Sequence, residues 1–262
     1  MKLSFHNSAT VRAPLALVDR AGSWKPHNFP IRFGLLDHPA QGIVLIDTGY
    51  SDALFQSKDP HVALYRNVLR PKLNEAGLAK SVIEAIGAKS ADVRHIILTH
   101  LHADHICGLD NFPNALIHSS AVSLAGWKNQ KNFVSTFKGF FPSLLPDINA
   151  RYVQPVETTT SNNLPWGGVG HDIFGDGSVI SVDLPGHMKG HMGLVFPKLV
   201  EPTFHAADAD WIRGSLDNKH TMPWSARLIV DNYSAVQKSK VIIDLARQRG
   251  FTITLCHDLS DA

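Results

Sequence analysis

A chain of 262 residues is long enough for one large α/β domain with a substantial core, and short for two. Its 44% hydrophobic and 18% charged residues are ordinary for a soluble globular protein and exclude a disordered or fibrous one. A net charge of +2 with no basic run argues against a nucleic-acid partner, and no segment has the 18 or so apolar residues a membrane span needs.

The chain opens on Met1-Lys2-Leu3-Ser4-Phe5-His6-Asn7-Ser8, which lacks the apolar stretch of a signal peptide, so an unexported cytoplasmic protein is expected. Residues 11–18, 31–36 and 43–46 are apolar or alternating runs between Gly/Pro-rich stretches and predict strands. A helix is expected over 61–76, broken or bent near Pro71. Ser81-x-x-Glu84 reads as a capping box with Gly87 as the stop. The run His95-Ile96-Ile97-Leu98 predicts a buried strand, residues 115–118 another, and 120–127 a helix. Later strands are expected at 179–184, 193–196, 203–207 and 251–255. The longest helix should start at the Ser234-x-x-Gln237 box and stop at Gly250, with Val241, Ile242, Leu245 and Ala246 as its apolar stripe. Interleaved strands and helices imply sheets covered by helices. No repeat or linker divides the chain, so residues 1–262 are expected to form a single domain.

Residues 127–147 stand out, because Phe133, Phe137, Phe140 and Phe141 alternate with lysines and close on Pro142 and Pro146. They read either as an amphipathic surface helix or as an insertion forming a lid over an active site.

The most informative segment is Thr99-His100-Leu101-His102-Ala103-Asp104-His105. It packs three imidazoles and a carboxylate together where a strand ends and a loop begins. A loop can turn such close neighbours onto one point, whereas a regular strand or helix cannot. Imidazole with carboxylate suits zinc or another first-row divalent metal. The bland alternative is a histidine-rich polar turn. Cys107 and Cys256 give no disulfide framework, and buried inert thiols are expected in preference to thiolate ligands.

The pattern H-x-H-x-D-H resembles the metallo-β-lactamase-fold hydrolases, and the likeness extends along the chain. Ile43 to Gly49 resembles their strand ending in Asp-Thr-Gly, and Leu184-Pro185-Gly186-His187-Met188-Lys189-Gly190-His191 their P-G-H-x-x-G-H segment. Phe204 to Ala209 resembles the strand ending in a bridging aspartate, and Ile253 to Asp258 the last strand with its final histidine. The resemblance implies an αββα sandwich of the α/β class holding two divalent metal ions per chain, with zinc the favoured metal. It implies His100, His102 and His187 on one ion, Asp104, His105 and His257 on the other, and Asp208 bridging. Two such ions would supply a hydroxide and polarise a carbonyl, and Asp104 could carry a proton to the leaving group. Asp104 and Asp208 are thus the candidate catalytic carboxylates.

Several assignments have competitors in the sequence. His187 is preferred to His191 because Pro185-Gly186 can swing it inward, which leaves His191 as a supporting or core histidine. Asp208 is preferred to Asp210, which is expected to be a solvated turn residue. His257 is preferred to Asp258, a surface or supporting group. Asp47 is expected to orient an imidazole, or else to cap its own turn. The remaining histidines, among them His38, His118 and His205, are expected to be structural or exposed.

Within the superfamily the chain is most similar to N-acyl-homoserine lactonases, through His105-Ile106-Cys107-Gly108-Leu109-Asp110-Asn111-Phe112-Pro113-Asn114-Ala115 and His171 to Ser178. It departs from them at Cys107 and at Trp211, where several carry glycine and tyrosine. This likeness implies a lactonase of the quorum-quenching kind taking a small acyl substrate, with Trp211, Phe137 and Phe140 near it. Thioesterase or lactamase activity, or a metal-bearing effector with little turnover, are the alternatives. The oligomeric state stays open, a homodimer being one option.

Overall fold

The computed structural model describes residues 1–129, 138–212 and 222–259. The first half begins with the strands β1 (Lys2–Pro14), β2 (Pro26–His38) and β3 (Gly42–Ile46). The helices α1 (Ala53–Gln56) and α2 (Pro60–Leu69), the short strand β4 (Lys72–Leu73) and the helix α3 (Ala79–Ala85) follow. Next come β5 (Val93–Ile97), α4 (Ala103–Ile106), β6 (Leu116–Ser119), α5 (Ala121–Lys128) and β7 (Val153–Pro155). The remainder supplies β8 (Thr160–Asn163), β9 (Val169–Asp172), β10 (Ile180–Asp183), β11 (Met192–Phe196) and β12 (Thr203–His205). The helices α6 (Trp224–Arg227) and α7 (Tyr233–Gln248) and the strand β13 (Thr252–Thr254) close the chain.

These strands form two mixed sheets, ordered β4-β1-β2-β3-β5-β6-β7 and β13-β12-β11-β10-β9-β8. In the first, β3, β5 and β6 run parallel, with Ile46 opposite Ile97 and Ile97 opposite His118. Parallel strands are covered on both faces, which is why Val44, Leu45, Ile46, Ile96, Ile97 and Ile117 are all fully buried. In the second, the strands are antiparallel except for β12 and β13. Its core includes Leu184, Val195, Phe204, Ile243, Ala246 and Leu255. The chain divides into two compact units. The first holds Met1–Arg12, Asn28–Ser119 and Leu124–Gln154, the second Ala13–His27, Ser120–Ser123 and Pro155–Ala262. No described helix is long and apolar enough to cross a membrane.

The structure corrects several expectations. Residues 15–17 form a 3-10 turn, not the end of a strand. Helix α2 breaks near Pro71 as expected, stopping at Leu69 where Arg70 takes a left-handed conformation, but it does not resume: residues 72–73 pair with β1. Asp59 caps its start by accepting from the His61 N–H. Ser81 lies inside α3, whose first turn has no side-chain cap. Asn232 caps α7 through the Ala235 N–H, two residues before the expected Ser234.

The buried face of α7 is Val236, Ser239, Lys240, Ile243 and Ala246, while Val241 and Leu245 are 59% and 38% exposed. The expected stripe holds at Ala246 and at the partly buried Ile242, and an apolar-only reading missed Ser239 and Lys240 because they are polar and bonded. Ser239 Oγ donates to the Pro185 carbonyl, and Lys240 pairs with Asp210. Strands β7, β8 and β9 went unrecognised because each is only three or four residues long and none carries an apolar run.

Away from the candidate site, His118 on β6 is buried, with Nε2 3.0 Å from His95 Nδ1. Burial, and after it the neighbouring His95, pushes its pKa down to about 4. Between about pH 6.5 and pH 4 the unfolded chain binds a proton at His118 that the folded chain refuses. The stability this residue contributes is therefore complete above about pH 6.5 and is lost as the pH falls through that window, by about 3 kcal/mol. Urea unfolding of wild type and His118→Leu across pH 4–7 should show the variant losing that part of the slope. Parallel curves would contradict the assignment.

Candidate functional site

Asp47, Thr99, His100, His102, Asp104 and His105 belong to the first unit, and His187, His191, Asp208, Asp210, Trp211 and His257 to the second. In the first unit they gather at the carboxyl ends of the parallel strands β3 and β5, where open α/β sheets place their ligands. Asp47 sits one residue past β3 in a left-handed conformation (φ 59°), which aspartate tolerates better than most residues. Its N–H donates to the Ile97 carbonyl, and its fully buried carboxylate accepts three bonds. Oδ1 takes the Thr99 N–H at 2.8 Å, and Oδ2 takes Thr99 Oγ1 and His105 Nδ1, both at 2.8 Å. Asp47 therefore both holds its own turn and orients an imidazole.

Thr48 ties the next layer. Its hydroxyl donates to the His105 carbonyl and accepts from the Gly108 N–H, closing the end of α4. A Cβ at position 108 would lie 2.9 Å from the Thr48 carbonyl oxygen, so glycine is required where Cys107-Gly108 follows the histidines. His102 occupies the N-cap position of α4, and the Ala103 N–H donates to the Gly139 carbonyl. His100 Nε2 lies 3.0 Å from His102 Nδ1, and the His100 ring centroid is 3.9 Å from that of His105. Asp104 Oδ2 is 3.7 Å from His105 Nε2. Imidazole nitrogens and a carboxylate drawn this close, all buried, are donors of the kind that can hold a cation.

In the second unit, His187 follows Gly186, whose φ of +126° and close approach to the backbone of Val236 exclude a side chain. The His187 carbonyl accepts from Asp231 N–H, which fixes the turn. Asp208 follows β12 and Ala207, itself left-handed at φ 47°, a conformation that costs an alanine roughly 1–2 kcal/mol. Asp208 Oδ2 lies 3.2 Å from His257 Nε2 and 3.5 Å from His187 Nε2, so two imidazoles converge on one oxygen. His191 uses both ring nitrogens within the protein: Nδ1 lies 3.0 Å from the Leu184 carbonyl, and Nε2 accepts the Asp208 N–H at 3.2 Å. Trp211 is buried, its ring 5.9 Å from His187 and perpendicular to it.

Asp210 departs from expectation. It is 2% exposed, not solvated, and its Oδ2 lies 2.8 Å from Lys240 Nζ on α7. Asp258 is likewise buried, not a surface group. Both cysteines are buried and free of disulfides. Cys256 faces His205 at 3.6 Å, and burial pushes the Cys107 thiol pKa up. Phe140 and Phe141 are buried, and Phe137 and Phe133 lie outside the described residues. Sequence reasoning assigned no role to Thr48, Thr99 or Lys240. The signal available for Lys240 was its spacing, four residues after Val236 and three before Ile243.

Residues 32–228 match the family described as the metallo-β-lactamase superfamily. The chain belongs to that superfamily. Two mixed sheets with helices are its fold. A probable metallo-hydrolase of Mycobacterium tuberculosis is 33% identical over 203 residues, 74% of this chain and 61% of its own length. This chain thus spans about three-fifths of the length of that relative. The N-acyl homoserine lactonase AttM of Agrobacterium fabrum is 26% identical over 245 residues, covering 90% of this chain and 85% of its own. Among solved structures, AiiA of B. thuringiensis with N-decanoyl-L-homoserine bound superposes with a TM-score of 0.73 at 17% identity, covering 99% and 94% of the two chains.

Replacing Asp47 by asparagine keeps a residue that tolerates the left-handed backbone but removes the charge that holds His105 Nδ1. Zinc retention against a chelator should weaken by about 10- to 100-fold. Unchanged retention would mean that His105 keeps its orientation without this carboxylate.

Proposed function

We propose that the chain is a metal-dependent hydrolase, one domain around one dinuclear centre, that opens a lactone of the N-acyl-homoserine type or a related acyl ester. In this reading His100, His102 and His187 hold one ion, Asp104, His105 and His257 the other, and Asp208 reaches both. The observation that carries it is the carboxylate–imidazole pair of Asp47 and His105. Accepting the hydrogen bond from Nδ1–H fixes the tautomer in which Nε2 carries the lone pair that a cation requires. Imidazole and carboxylate donors in a buried setting favour zinc.

When bound, two such ions supply hydroxide near neutral pH and polarise a carbonyl oxygen. The chain's own residues supply the rest. Asp104, beside His105, would relay the proton lost by the attacking hydroxide to the departing alkoxide, while the ring of His191 accepts the Asp208 N–H. Trp211 offers an indole donor and no acceptor, so it can steady a carbonyl oxygen but cannot take a proton. Phe140, with Phe137 alongside in the sequence, is proposed to flank the acyl chain. The neighbouring Gly139 lies against the His102 ring, where even an added Cβ would stay 3.7 Å away. The lactone is favoured over other acyl compounds because similarity to N-acyl homoserine lactonases runs through 90% of the chain.

Proton release in weakly buffered solution tests the reading, with metal-replete protein and N-hexanoyl-homoserine lactone. Acid should form, stop with a chelator and return with added zinc. Turnover of thioesters or lactams alone would replace the substrate. A protein carrying both ions but inert toward all three would contradict the hydrolase assignment and favour a ligand-binding effector.

A further inference from the structure

Lys240 and Asp210 form a buried ion pair that the proposed chemistry does not use. Lys240 is 8% exposed and Asp210 2%, with Nζ 2.8 Å from Oδ2. Taking two charges out of water costs several kcal/mol per ion, and well-packed apolar residues often serve stability equally well or better. Stability is therefore a poor reason for the pair, and its location offers a better one.

Asp210 lies two residues after Asp208, on a turn constrained at every step. Ala207 is left-handed and its carbonyl accepts the Cys256 N–H. The Asp208 N–H donates to His191, and the Ala209 N–H to the Ala206 carbonyl. Asp210 Oδ1 accepts the Trp211 N–H, and Trp211 then packs with Met222, Ala226, Val230 and Val236. Lys240 stands on the same helix as Val236 and holds the second oxygen of Asp210. The turn offers two carboxylates, Asp208 and Asp210, with the spacing D-x-D. One meets His187 and His257, and the other meets a lysine.

We propose that Lys240 is a positioning residue: through Asp210 it locks the turn so that Asp208, and not Asp210, presents its carboxylate to the cations, and it sets the seat of Trp211. The inference rests on the dinuclear hydrolase reading above, and it is tested by a readout that does not require turnover.

The series is wild type, Lys240→Met, Lys240→Arg, Asp210→Asn and Lys240→Met/Asp210→Asn. For each, zinc retention against a chelator, kcat and KM with N-hexanoyl-homoserine lactone, and thermal stability are measured. Lys240→Met leaves the Asp210 carboxylate buried without its cation. Its zinc retention should fall by about 10- to 100-fold and kcat by at least about tenfold, with KM within about threefold of wild type. Lys240→Arg should rescue retention at least in part, as should the double variant, in which neither charge remains. Asp210→Asn, which strands the lysine instead, serves with the double variant if Lys240→Met fails to fold, and it should lower zinc retention relative to that double variant. A lower melting temperature with zinc retention and kcat within twofold of wild type would overturn the proposal, reducing the pair to a packing element. Wild type that binds two ions but opens no lactone would overturn the substrate reading alone, since the retention series would still decide the role of Lys240.

Discussion

A carboxylate with no access to water, Asp47, is the constraint on which the first set of donors depends. It accepts from Thr99 twice and from His105 once, and in doing so it joins the ends of two parallel strands to the imidazole that follows them. A buried carboxylate is tolerated only where its oxygens are satisfied by hydrogen bonds or charge. That demand works in both directions. The strands give Asp47 its partners, and Asp47 gives His105 a fixed tautomer and direction. Thr48, adjacent in sequence, repeats the arrangement one layer out by closing α4 through the His105 carbonyl and Gly108.

The second set of donors is held by a different device. Its precision comes instead from turns that have little freedom: Gly186 against the backbone of Val236, left-handed Ala207, and His191 bonded at both ring nitrogens. Backbone strain of this kind persists only where the surroundings over-determine the conformation, and such residues cluster at functional sites. Helix α7 supplies much of that over-determination. Ser239 holds the Pro185 carbonyl, Lys240 holds Asp210, and Asn232 N–H holds the Gly186 carbonyl just ahead of the helix.

Much of this was legible in the sequence, and the rest was hidden for identifiable reasons. The strand before Thr99 and the turns at Asp47 and Gly186 announce themselves through apolar runs and glycines, signals local to a few residues. Helix α7 was legible as a helix but only partly in its orientation. Its buried stripe includes Ser239 and Lys240, whose burial is intelligible only once their partners, Pro185 and Asp210, are known. Asp210 was misread for the same reason, since a carboxylate in a turn is ordinarily solvated and its lysine lies thirty residues away. Polar residues that are buried because they are paired across long sequence separations carry no local signature. Ser239, Lys240 and Asp210 are residues of this kind.

The proposal at the centre of this account is that His102 and His187 serve one cation. Metal stoichiometry after exhaustive dialysis tests it most directly, comparing wild type with His102→Ala and His187→Ala. The account predicts two ions per wild-type chain and loss of the same ion in both variants, although the altered residues lie in different units. Full occupancy in either variant would contradict it.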